Sequence, residues 1–139
     1  MAGKVLPEAF TCFTLNLDNL SELTKRFGYT VGDGVLKDFA GLVQLMGDTE
    51  GMRGYNGVGR FVVFFEECSS KKAAAMIRIL DNQVEEYNSL NPEYPIRYTA
   101  AWATTEETDT YEIRELLRLS QKKWKQMEKE KKDKIEEET

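Results

Sequence analysis

Arg60 directly follows Gly57-Val58-Gly59 in this 139-residue chain. Exposed backbone N–H groups in a glycine-rich turn, with a guanidinium beside them, could cradle an anion without a metal. The competing reading is a solvated surface arginine. Two carboxylates stand out as well, Asp18 and Asp33. Asp18 ends an apolar segment and is placed to cap a short helix, since its oxygens can accept from exposed helix N–H groups. Asp33 lies three residues past Thr30, the spacing of a capping box. Histidine is missing from the chain, and Cys12 and Cys68 lack metal-ligand spacing, so neither a zinc site nor imidazole acid–base chemistry is expected. The thiols read as buried or incidental.

The elements that must hold these residues follow from the hydrophobic pattern. Asn56-Gly57 is a tight-turn signal, because primed hairpin turns need positive φ. Strands are therefore expected over 52–56 and 60–66. The run Phe61-Val62-Val63-Phe64-Phe65 is apolar on both faces of any strand it forms, and is expected to be a central strand covered on both sides. Residues 10–17 alternate Phe13, Leu15 and Leu17 against Cys12, Thr14 and Asn16, the period of a half-buried strand. Residues 96–103, rich in β-branched and aromatic side chains, read as another strand.

Helical spacing recurs in four places. Leu20, Leu23 and Phe27 form a short stripe ended by Gly28. Val35, Leu36, Phe39, Leu42, Val43 and Met46 form a second, with Gly47-Asp48 at its end. Ser69-Ser70 caps a third carrying Ala73, Met76, Ile77, Leu80, Val84 and Tyr87. The fourth opens at Asp109, with Glu112 three residues on, and carries Ile113, Leu116, Leu117, Trp124 and Met127. Residues 129–139 are charged and read as a helical extension that frays. Trp124 and this extension are candidates for docking a partner or a second copy, against the simpler reading that Trp124 completes the core.

The order of strand, two helices, hairpin, helix, strand and helix suggests an α/β (α+β) fold, a ferredoxin-like palm with a mainly antiparallel sheet flanked by helices. One domain spans residues 1–139, with its core at about 8–128; no repeat or linker is visible. A net charge of −5 gives no basic excess to attract nucleic acid, and no apolar run is long enough to span a bilayer. Met1-Ala2-Gly3-Lys4 leads into a mixed segment unlike a signal peptide, so a cytoplasmic location is expected.

The hairpin GYNGVGRFVVFFEE resembles the signature hairpin of the GGDEF family of diguanylate cyclases. Aligning Phe61 with the terminal Phe of the motif puts Gly57, Val58, Gly59 and Arg60 where members carry Gly, Gly, Asp or Glu, and Glu. One glycine survives and both acids are gone. Further matches extend the resemblance over about residues 10–128. In NLDNLSELTKRFGYTVGDGVL, Asn16 falls at the family's metal-binding Asp, Asp18 at the next Asp, Thr24 at a guanine-reading Asn, Tyr29 at a His, and Gly32-Asp33 at the Gly-Asp. In LLRLSQKKWKQMEKE, Ser120 and Gln121 fall at an Ala-Asp pair, and Glu128 at a phosphate-contacting Lys.

The resemblance implies the nucleotidyl cyclase-like palm, with a nucleotide cleft in which Asn16, Asp18, Thr24, Asp33 and Arg60 are vestigial binding residues. The family's last strand, which normally follows this helix, has no candidate here, so a sheet one strand short is expected. The resemblance also implies that catalysis is lost. Mg²⁺ wants carboxylate oxygens, whereas Asn16 offers an amide, Gly59 no side chain and Arg60 a cation. The inhibitory Arg-x-x-Asp of active members would fall at Asp48-Thr49-Glu50-Gly51, which does not match it.

The expected role is a catalytically inactive regulatory or protein-interaction module in bacterial nucleotide second-messenger signalling, without metal or cofactor. It would have a protein partner or self-association and at most weak guanine-nucleotide binding. The short start before the first strand fits a domain from the end of a longer signalling chain, and equally a free-standing domain. Two alternatives stand beside this: a residual cyclase making cyclic di-GMP from GTP with Mg²⁺ and substitute carboxylates such as Asp18 or Asp33, and a metal-independent nucleotide sensor.

Overall fold

The computed structural model describes residues 9–46, 53–55, 59–66, 68–108 and 112–138. Its elements are β1 (Thr11–Leu17), α1 (Leu20–Phe27), α2 (Tyr29–Gln44), β2 (Arg53–Tyr55), β3 (Arg60–Phe65), α3 (Ser70–Leu90), β4 (Tyr98–Thr104) and α4 (Ile113–Glu138). The strands form one sheet in the order β2-β3-β1-β4. Each neighbouring pair is antiparallel. This is the ferredoxin-like palm, and among the described residues no strand follows α4.

Both faces of the sheet are covered. Phe13, Leu15 and Leu17 of β1, with Phe61 and Val63 of β3, pack into one core with α2 and α3, which contribute Phe39, Val43, Met76 and Leu80, and with Met46 just past α2. On the opposite face Cys12, Ala103 and Leu116 form a second, smaller cluster beneath α4. β1 and β3 are the two inner strands, each paired on both sides, so the apolar run 61–65 forms a central strand as expected. β1 is not half-buried as its alternation suggests: Cys12 and Thr14 are fully buried. The physical reason lies in Ser120 of α4, whose hydroxyl bonds the Thr14 hydroxyl at 2.8 Å and meets the Cys12 sulfur at 3.4 Å. A polar strand face can be buried when the covering helix satisfies it.

Two expected caps are absent. Asn19, not Asp18, precedes α1, and its side chain does not cap the helix. Instead the Asn19 amide donates to the Pro95 carbonyl at 2.7 Å and accepts from the Arg97 N–H, tying the start of α1 to the loop before β4. At α2 the Thr30 and Asp33 capping box does not form. Gly28, at φ 94°, donates to the Thr24 carbonyl to close α1, and itself takes the N-cap position of α2. A left-handed glycine reverses the chain within one residue, so α2 begins before Thr30 can cap it. The Ser69 cap does form, its hydroxyl accepting from the Lys72 N–H. α2 ends earlier than expected, at Gln44 with Leu45 as its C-cap; Gly47-Asp48 and the expected opening of α4 at Asp109 lie outside the described residues.

Candidate functional site

Asn16 and Asp18 sit at the end of β1, where the sheet opens towards β4 and the last turns of α4. They line a cleft of about 680 Å³ together with Thr99, Glu128, Lys131 and Lys132. The Asn16 amide donates to Asp18 Oδ1 at 2.9 Å, and the Thr99 hydroxyl donates to Asp18 Oδ2 at 2.5 Å. Lys131 reaches in from α4, its ammonium donating to Thr99 Oγ1 at 2.8 Å and to the Tyr98 carbonyl at 3.0 Å, 3.9 Å from Asp18 Oδ2. Glu128, at the position expected to match a phosphate-contacting lysine, faces Lys132 at 3.5 Å. Asp18 is therefore held by an amide, a hydroxyl and an ammonium.

Arg60 pairs with Asn16 across β3 and β1, yet its side chain is not a wall of this cleft. The guanidinium lies over the ring of Trp124, with Cζ 4.4 Å from the ring centroid. A planar cation is attracted to the negative face of an indole, most strongly where water is excluded. Trp124 is buried, and the buried Nε of Arg60 has no hydrogen-bond partner among the described residues. Arg60 is thus neither a solvated surface residue nor presented to the cleft; it helps seat α4 on the sheet. Burial likewise removes Trp124 as an exposed docking residue.

Gly59 is locked into the sheet edge, its carbonyl accepting from the Leu17 N–H at 2.8 Å. It has φ 85°, and a Cβ there would lie 3.3 Å from Leu20 Cδ2. Gly57, Val58 and the Asp48-Thr49-Glu50-Gly51 stretch lie outside the described residues.

Thr24 and Asp33 do not join the cleft. The Thr24 hydroxyl donates back to the Leu20 carbonyl at 2.9 Å and lies against Gly32, so close that a Cβ at Gly32 would collide with it. Thr24 is a packing residue between α1 and α2. Asp33 pairs with Lys37 at 3.0 Å along the outside of α2.

The three motif positions do not supply the carboxylates that a divalent ion prefers. Asn16 offers a neutral amide oxygen in place of a carboxylate, Gly59 has no side chain, and Arg60, stacked on Trp124, has no oxygen to give. Among the described residues no group of three or more His, Cys, Asp or Glu side chains is gathered to hold a metal. Sequence reasoning missed Lys131 and Asn19. The charged run around Lys131 reads as solvated, and only the distance from α4 to β4 singles one lysine out.

The sequence profile described as "Diguanylate cyclase, GGDEF domain" matches residues 4–134. The chain belongs to the GGDEF family. No curated protein sequence matches it. Among solved structures it is similar to the active GGEEF domain of a diguanylate cyclase from Vibrio cholerae, at 19% identity and TM-score 0.78, over 88% of this chain and 78% of that one. It is also similar to the FimX GGDEF domain from Pseudomonas aeruginosa, at 17% identity and TM-score 0.66, over 84% and 72% of the two chains. A microbial GGDEF domain described in its interaction with cyclic di-GMP matches at 24% identity and TM-score 0.63, over 82% and 69%. At these identities the structures establish the shared fold. Among the described residues no helix is long and apolar enough to cross a membrane.

Proposed function

We propose that this GGDEF domain is catalytically inactive and serves as a regulatory or protein-interaction module in bacterial nucleotide second-messenger signalling, working in the cytoplasm without a metal or other cofactor. The observation that carries this reading is the state of the acid positions. Joining two nucleoside triphosphates requires a 3′-hydroxyl to attack an α-phosphorus while cations neutralise the phosphate charge. Here the first acid is a neutral amide whose NH₂ donates to Asp18, the second is a glycine enclosed by Leu17 and Leu20, and its neighbour is an arginine stacked on Trp124. Glu128 adds a negative charge where the family resemblance calls for a phosphate contact. The scaffold is kept while the means of gathering divalent ions is gone, which suits a domain that signals through a protein partner or a second copy.

Incubating the purified protein with GTP and Mg²⁺ or Mn²⁺ tests this directly. No cyclic dinucleotide is expected; its formation by the wild-type chain, lost on Asp18→Asn or Asp33→Asn substitution, would establish a cyclase using substitute carboxylates.

A second reading, metal-independent nucleotide sensing, is favoured by Arg97, Lys131 and Lys132 in the wall of the cleft. A ligand that binds only the folded state raises its melting temperature. A shift with GTP or cyclic di-GMP in the presence of EDTA would favour sensing, and no shift would favour the interaction module.

A further inference from the structure

We propose that Lys131 is the resident cation of the cleft: a tethered ammonium that holds the oxygen donors a free divalent ion would need. Three oxygens of different kinds converge on it or beside it, the Thr99 hydroxyl, the Tyr98 carbonyl and the Asp18 carboxylate. Hydroxyl, carbonyl and carboxylate oxygens are the donors that Mg²⁺ and Mn²⁺ prefer. An ammonium is a compact charge with three N–H donors, so it can engage the same oxygens with hydrogen bonds instead of coordination. Thr99 completes the arrangement by relaying it: it accepts from Lys131 and donates to Asp18, so the carboxylate is joined to the lysine both directly by charge and through the hydroxyl.

The rest of this part of α4 makes Lys131 the anchor. Residues 129–136 are exposed along their length, and Lys132 turns along the helix to Glu128. A charge attached to the chain stays at high effective concentration at its site, so a free ion must first displace the ammonium. This inference goes beyond the inactive-module reading and does not require it, because it concerns which cation Asp18 holds.

The test is Mn²⁺ binding to the full chain, read from the loss of the free-ion paramagnetic resonance signal without nucleotide. Removing the ammonium with Lys131→Met is expected to strengthen binding of one Mn²⁺ by about tenfold or more, since the oxygens lose their competitor. Lys131→Arg is expected to leave binding as in the wild type. Asp18→Asn in the Lys131→Met background is expected to abolish the gain. No gain in K131M, or a gain that survives D18N, would overturn the proposal. If K131M does not keep the native circular dichroism spectrum, Lys131→Gln gives the same reading. None of these outcomes depends on GTP turnover.

Discussion

Returning the missing acids one at a time exposes what each position now does. At Gly59 any side chain must adopt φ near 85° and enter the space beside Leu17 and Leu20. Gly59→Asp is expected to lower stability by about 1–2 kcal/mol, measured by urea unfolding, because non-glycine residues are disfavoured in the left-handed region. It should restore no turnover. Asn16→Asp would replace a donor 2.9 Å from Asp18 with a second carboxylate. The lost hydrogen bond and the new repulsion are expected to cost about 1–3 kcal/mol at low salt, with partial recovery in added NaCl. An unchanged unfolding midpoint would show that Asp18 is free to turn away. These single residues were the least legible part of the sequence. The types at positions 16, 59 and 60 told what chemistry is missing, but not that Asn16 is a hydrogen-bond donor or that Arg60 lies on Trp124. Such contacts join residues far apart in the chain, and no local period encodes them.

At the scale of elements the apolar stripes were legible, because each buried face repeats at the period of its helix or strand. What the pattern could not tell was the use of the second face of β1. Cys12, Thr14 and Asn16 have the look of a solvent side, and period two does not distinguish water from a helix that brings its own hydroxyl. The Asp33 cap failed for a related reason: a capping box describes four residues, whereas the start of α2 is decided by Gly28 and the close packing of α1 on α2. The Thr14–Ser120 pair gives a test of how α4 is held. Ser120→Ala leaves the buried Thr14 hydroxyl without this partner and is expected to cost about 1–3 kcal/mol. Adding Thr14→Val removes the stranded group, so the double variant should be less destabilised than the sum of the singles. Strict additivity in chemical unfolding would mean that the hydroxyl pair does not couple the strand to the helix.

Across the whole molecule, four acidic protons sit at joints between layers. The Tyr87 hydroxyl of α3 donates to Asp38 of α2 at 2.7 Å, and the Tyr98 hydroxyl of β4 donates to Asp81 of α3. Cys12 lies beneath α4, and Cys68 touches the sulfur of Met76 in α3. Burial pushes Cys12 up from 9.0 to about 11, partly opposed by the Ser120 hydrogen bond. Burial raises Cys68 as well, and burial followed by the carboxylate partner pushes both tyrosines above their ordinary range. In every case the folded state favours the protonated form, so the unfolded chain releases its proton first as pH rises. For Cys12 the stabilisation is fully present below pH 9.0 and is lost as pH climbs towards 11. At about 1.4 kcal/mol per unit, that thiol alone removes on the order of 3 kcal/mol across this window. The tyrosines add a second, steeper loss beginning near their ordinary value of 10.0. Urea midpoints are therefore expected to change little from these groups between pH 7 and 9, to fall from 9 to 10, and to fall faster above 10. Cys12→Ala should flatten the first part of that fall, and Tyr87→Phe should soften the second. A midpoint that holds steady to pH 11 would mean that these protons are held no more tightly in the folded chain than in the unfolded one, and that the joints between sheet and helices do not depend on them.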